Sequence, residues 1–285
     1  MKKKKWFSIG LATVAAVFLI ACGNKANSAN GQDKWDAIVE RGTLKFSTSG
    51  TLFPQSFHQK DDNELTGYDV EIIREVAKRL GLTVNFTEMN IDGMFAAVNS
   101  GQIDIAGISI DRNGENADKF LYTTPHKYSY GAMIVRQSDD SGIKTLEDLK
   151  GKKAAGAATT SYMKVAKKFG AELVVYDNVT NDQYLTDVAN GRTDVILNDF
   201  YLQSMATKAL PEIPVKVHNI FYNPSEANFA LQLGNDVLAE KVNQTLEEMR
   251  KDGTLKKLSE QFFSGQDVSV EKDYDFQVID ISDVE

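Results

Sequence analysis

The sequence predicts an α/β protein of two lobes, each a wound, mostly parallel sheet flanked by helices. Three observations carry this. Short apolar runs alternate with helical patterns from residue 43 onward. Alternation of that kind implies parallel strands covered by helices on both faces. The same alternation restarts after residue 136, so there are two similar series, at about 43–132 and about 136–220. The length of 285 residues suits two domains at a prior of about 150 residues each.

The first series opens with a strand at Leu44-Lys45-Phe46-Ser47. Val70, Ile73, Val76, Ala77 and Leu80 then recur at helical spacing, and Gly81 stops that helix. Thr83 to Phe86 reads as a strand, Asp92 caps a short helix running to Val98, and Ile103 to Ile110 is the next strand. The second series begins at Thr145 and Asp148, a capping-box pattern before Leu149. It continues with a small-residue strand from Lys153 to Ala158, a helix from Ser161 to Gly170, and a strand from Leu173 to Tyr176. A helix from Asp182 to Asn190 and a strand from Asp194 to Leu197 complete it. Near the end, Leu238, Val242, Leu246 and Met249 mark a long amphipathic helix closed by Gly253. A further helix carries Leu255, Leu258 and Phe262. Ligands in such sheets bind beyond the carboxyl ends of the strands, so two facing lobes enclose a cleft.

Composition narrows the function. There are 32 lysines and arginines against 40 acids, a formal charge of −8. The first 21 residues hold four lysines and no acid, so the remainder stands at −12. A body this acidic repels phosphate backbones, and no nucleic-acid partner is expected. Three scattered histidines and one cysteine offer neither metal-ligand spacing nor an internal disulfide. No metal or cofactor is expected.

The start of the chain reads as an address. Lys2 to Lys5 precede an apolar run from Trp6 to Ala21, the charged and apolar regions of a secretory signal over 1–21. Cys22 follows Leu19-Ile20-Ala21 directly and resembles a bacterial lipobox cysteine, which is acylated at its thiol and becomes the new N-terminus. Residues 22–42, rich at first in Asn, Gly, Ser and Lys, are expected to form a lipidated, flexible tether. The expected location is the outer face of a bacterial cell membrane, held there by lipid.

Four stretches carry a resemblance. They are Gly50-Thr51-Leu52-Phe53-Pro54 with Leu65 to Glu71, then Asp92-Gly93-Met94 with Ser100 to Asp104. Next come Leu146 to Lys153 leading into Thr159-Thr160-Ser161-Tyr162, and Gly191-Arg192-Thr193-Asp194 with Asn198-Asp199 and Asp252 to Leu255. In this order they resemble the family 3 solute-binding proteins of polar amino-acid ABC importers, closest to the cystine-binding branch. The resemblance implies a periplasmic-binding-protein-like fold with two crossover strands, near 132–136 and 228–233. Lobe 1 would comprise 43–132 plus 228–265, and lobe 2 would comprise 133–227. Residues 266–285, with seven acids and one lysine, lie beyond the usual end and are expected as a solvated acidic tail. It further implies a monomer that captures an amino-acid-like ligand and docks on an ABC permease served by an ATPase.

Site residues follow from the resemblance. Asp199 matches the aspartate that holds the ligand ammonium, and also suits the N-cap of the next helix. Thr159, Thr160 and Ser161 open a helix whose free N–H groups favour a carboxylate. The family's carboxylate-gripping arginine is replaced by Asn116, with Arg112 near in sequence as a substitute. Ser109 and Asp111 fall where relatives touch the ammonium side, and Asp111 equally suits a turn. Leu52 and Ile91 replace the aromatic pair that sandwiches ligands in relatives, with Phe53 adjacent. Such a wall suits an aliphatic or thioether group better than a guanidinium. No nucleophile–base constellation is present, so an enzyme is not expected. The alternatives are a dehydratase-like enzyme on a related two-lobed fold, or a lipid-tethered sensor or adhesin.

Overall fold

The computed structural model describes residues 26–284, except 62, 113–115, 117, 177 and 273–275. The expected signal segment and Cys22 lie outside the described residues. Two long crossover strands, β8 (Lys127–Arg136) and β13 (Tyr222–Gln232), pair antiparallel at the centre of the fold. On one side β13 pairs with β6 (Ile105–Ile110), followed by β1 (Thr43–Thr48) and β5 (Thr83–Glu88). On the other, β8 pairs with β11 (Val195–Asp199), followed by β9 (Lys153–Gly156) and β10 (Glu172–Val175). Within each outer trio the strands are parallel. The first trio is the sheet of lobe 1 and the second that of lobe 2.

The inner parallel strands β1, β6, β9 and β11 are mostly buried, and helices supply the cover. In lobe 1, α2 (Tyr68–Arg79) buries Val70, Ile73, Val76 and Ala77, as their spacing predicts, the last three in the core beneath the sheet. Helix α3 (Ile91–Asn99) covers the opposite face with Met94 and Val98. Its cap is Asn90, whose side chain accepts from Gly93 N at 2.7 Å, so the expected cap Asp92 instead sits inside the first turn. After β13 the chain returns to lobe 1 through α7 (Asp236–Lys251) and α8 (Thr254–Phe262). In lobe 2, α4 (Ser161–Lys168) packs on one face, while α5 (Asn181–Ala189) and α6 (Phe200–Ala209) cover the other. The capping box at Thr145 and Asp148 is present, on a single 3-10 turn, Leu146–Leu149.

Two expectations fail at the ends of the body. Residues expected as tether form α1 (Ala26–Arg41). Trp35 and Ile38, three residues apart, share a face, and Ile38 is buried in the lobe 1 core with Trp35 packed against it. Lys34 Nζ adds a hydrogen bond to Gln232 Oε1 at 2.9 Å. Burial of that face outweighs the weak helix propensity of Asn, Ser and Gly. The acidic tail, expected in solvent, is docked. Val268 lies in the lobe 1 core and Ile279 in the lobe 2 core. Between them the Phe276 ring meets the Tyr130 ring at 4.6 Å.

Gly131 shows how tightly the crossovers are packed. A Cβ there would stand 2.3 Å from Tyr222 Cε2, a fully buried ring. Gly131→Ala is expected to cost about 1–3 kcal/mol by overpacking, read as a lower denaturant midpoint.

Candidate functional site

The carboxyl ends of β1, β6, β9 and β11 converge on the gap between the lobes. There the chain encloses a cavity of about 280 Å³, near the lower end of small-ligand pockets. Among the described residues, four hydrogen bonds join the lobes across it. Ser161 Oγ donates to Asp111 Oδ2 at 2.6 Å, and Thr159 Oγ1 donates to Asp92 Oδ1 at 3.1 Å. Thr51 Oγ1 donates to Asn178 Oδ1 at 3.2 Å, and Asn181 Nδ2 to the Phe53 carbonyl at 2.9 Å.

Most of the residues singled out from the sequence come together. Leu52, Ile91, Ser109, Asp111 and Asn116 line the cavity from lobe 1, and Thr159, Thr160 and Asp199 from lobe 2. Ser161 reaches the same place through Asp111. Two do not join them. The Phe53 ring packs against Phe57 at 4.9 Å, leaving only its carbonyl at the lobe boundary. Arg112 is half exposed and its Nε lies 3.3 Å from Glu226 Oε2, in a separate recess beside Tyr128 and Pro224. The guanidinium therefore does not take the place of the missing arginine.

Backbone geometry sets the lobe 1 wall. Ser109 holds a left-handed φ of 52°, which costs energy for a residue with a Cβ. Its N–H donates to Asp69 Oδ2, and its Oγ accepts from Gln55 Nε2 at 2.7 Å. Asp69 is buried and also meets His126 Nε2 at 3.0 Å, so the turn rests on a fixed polar pair. On lobe 2, Thr160 caps α4 by accepting from Met163 N at 3.3 Å. The first N–H groups of that helix point toward its N-terminal end, where an anion is favoured.

Asp199 takes the N-cap position that it suits and also lines the cavity. It ends β11, faces the cavity, and caps α6 by accepting from Leu202 N at 2.9 Å. Its second oxygen accepts from Lys127 Nζ, an ion pair in which the lysine side chain is 1% exposed and the aspartate 7%. Lys127 was not singled out from the sequence. A lysine opening a largely apolar strand is a signal that it needs an acidic partner, but nothing local names a partner 72 residues away. Among the described residues lining the cavity, Asp92, Asp111 and Asp199 are acidic and none is Lys, Arg or His. Lys127 lies just beneath this surface and offsets one of those charges.

Phenols complete the wall. Burial, with Asp111 and Asp118 adding to it, pushes Tyr122 up to about 12. Burial raises Tyr162 well above the ordinary range, with Asp199 and Asp111 contributing. Both stay neutral at physiological pH. Tyr122 donates to the Asn116 carbonyl at 2.8 Å and so fixes the loop after β6.

No described helix is long and apolar enough to cross a membrane. The chain is 55% identical over 272 residues to the probable ABC transporter extracellular-binding protein YckB of Bacillus subtilis (strain 168), covering 93% of this chain and 94% of that protein. It is 35% identical over 273 residues to the L-cystine-binding protein TcyA of the same organism, covering 94% and 100%. The crystal structure of Bacillus subtilis YckB superposes with a TM-score of 0.69 at 56% identity, over 86% of this chain and 99% of that one. Residues 44–265 match the model of the bacterial extracellular solute-binding proteins, family 3, and the chain belongs to that family.

Proposed function

We propose that this chain is the lipid-anchored binding component of an ABC importer. It captures a small amino acid or derivative, cystine-like or otherwise polar, by lobe closure and delivers it to a permease. The observation that carries this reading is the enclosed cavity with Asp199 and the start of α4 both on its lobe 2 wall. A zwitterion buried there needs both poles met. Asp199 and Asp111 supply negative charge for the ammonium, and the first N–H groups of α4 supply donors for the carboxylate. The lack of a bidentate arginine costs roughly 1.5–3 kcal/mol relative to a site that has one. The hydrogen bonds described between the lobes favour the closed form, and a ligand touching both walls adds its differential affinity for that form. Lipid anchoring rests on the Lys2–Lys5 cluster, the apolar run and Cys22.

Calorimetry of the mature chain against a panel of amino acids and sulfur compounds tests the reading. Stoichiometric binding without turnover supports it. Turnover of a ring acid points to the enzyme, and no response to any solute points to the sensor or adhesin. Asp199→Ala is expected to weaken binding at least about tenfold; unchanged affinity removes that carboxylate from the site.

A further inference from the structure

The lipid anchor and the fold meet at one edge of lobe 1. Only Gly23, Asn24 and Lys25 separate Cys22 from the start of α1 at Ala26. From Gly31 onward α1 is held to the body. Gly31 packs on the turn that joins β13 to α7, where a Cβ would stand 3.3 Å from the Gly234 carbonyl oxygen. Lys34 meets Gln232, Trp35 and Ile38 enter the lobe 1 core, and Arg41 pairs with Asp104. Leu231, just before that turn, is in register with Ile105 at the start of β6, and Asp104 directly precedes the same strand. Ile110, at the far end of β6, lines the cavity. Gly31 and Arg41 therefore both lie at the edge of lobe 1 opposite the cavity.

Chain geometry limits how far that edge stands from the lipid. The steps from Cys22 to Ala26 span at most ~14 Å at ~3.6 Å each. The helical steps from Ala26 to Gly31 add ~7.5 Å at ~1.5 Å each. We propose that acylated Cys22 holds the chain by this edge of lobe 1, within about 22 Å of the bilayer, so that lobe 1 is the anchored jaw and lobe 2 the one that stands off and swings. This rests on the lipid-anchored reading above. A lobe of roughly 100 residues has a radius of gyration of ~13 Å and so a width of ~33 Å. The amino ends of β9 and β10, where Lys153 pairs with Glu172, lie at the far edge of lobe 2, up to about 60 Å from the anchored edge. The cavity sits between the two edges, about one lobe's width from the headgroups.

The docked helix is what sets the orientation. As free coil, residues 23–42 would extend to ~70 Å, enough for either lobe to face the membrane. Docking of α1 removes most of that reach. Charge does not do the same work: Asp33 and Asp236 are exposed at this edge and outnumber Lys34, so anionic lipid does not attract it. Leu233, in the turn beside Gly31, is 53% exposed and offers the lipid surface an apolar contact once the covalent link has brought it there.

Phosphatidylcholine vesicles that contain a headgroup-labelled acceptor lipid and carry the acylated chain test this. Cys22 is the chain's one cysteine and its thiol is taken by the lipid, so a donor dye is placed singly through Leu233→Cys or Lys150→Cys. Lys150 is exposed and lies just before β9, at the far edge of lobe 2. Energy transfer to the bilayer is expected to be at least about threefold stronger from position 233 than from position 150, because nearly two lobe widths separate them. Inserting fifteen Gly/Ser residues between Lys25 and Ala26 adds about 20 Å of mean reach and should bring the two positions within about 1.5-fold of one another. Equal transfer from both positions without the insertion overturns the anchored-jaw arrangement. So does a ratio that the insertion leaves unchanged, because a contact other than the tether then sets the orientation. Both results leave lipid anchoring standing. A mass of the N-terminal peptide that shows Cys22 unmodified, with the chain remaining in solution, overturns the lipid-anchored reading and this inference with it.

Discussion

Lys127→Met is expected to lower the free energy of unfolding by about 3–5 kcal/mol, read from chemical denaturation of the mature chain. Methionine keeps most of the side-chain volume, so the loss is not a cavity effect. The cause is Asp199, which stays almost wholly buried and loses the ammonium that faces it. Its remaining described partner is Leu202 N, a single backbone donor for a full charge. A double variant, Lys127→Met with Asp199→Asn, removes both charges and is expected to recover much of the loss, because desolvation then falls on neutral groups. A ligand ammonium entering the cavity supplies the charge that the single variant lacks. Saturating ligand is therefore expected to stabilise Lys127→Met more than it stabilises the unaltered protein. Equal stability of the single variant and the parent would show that the pair contributes nothing to folding.

The pair also marks where the sequence stops being legible. Helix α2 and its sheet partners are written in local spacing: apolar residues at helical intervals and Gly81 at a left-handed φ of 72°. The placement of Asp199 at a strand end is equally local, because Val195-Ile196-Leu197 leads straight to it. The direction of Arg112 is not local. It depends on how the chain leaves β6 and on Glu226, more than a hundred residues away. Helix α1 was hidden for a related reason. Its composition reads as a tether, and only contact of Trp35 and Ile38 with the lobe 1 core makes a helix of it. Residues whose role depends on a neighbour in sequence were readable, and those that depend on a long-range partner were not.

Deleting residues 277–285 is expected to cost at least about 2 kcal/mol and to loosen lobe 2 more than lobe 1. The largest part is Ile279, 7% exposed in the lobe 2 core, where truncating a buried isoleucine costs about 2–5 kcal/mol. Asn223 loses three hydrogen bonds, since its backbone N–H donates to the Gln277 carbonyl at 3.0 Å and its side chain both donates to and accepts from Ile279. The exposed pair of Lys168 with Asp283 is screened by solvent and adds little. Hydrogen exchange separates this from a uniform loss of stability: amides of β11 and β13 near Asn223 should exchange faster, while those of β1 and β5 change little. The tail matters beyond stability because it is a third link between the lobes. Tyr128 N donates to the Val268 carbonyl at 2.8 Å on the lobe 1 side, and Ile279 is seated on the other. Cutting it frees the crossover strands to flex, so ligand-free solution scattering of the deletion variant is expected to show a larger radius of gyration. An unchanged radius with unchanged exchange would mean that the docked segment restrains neither lobe.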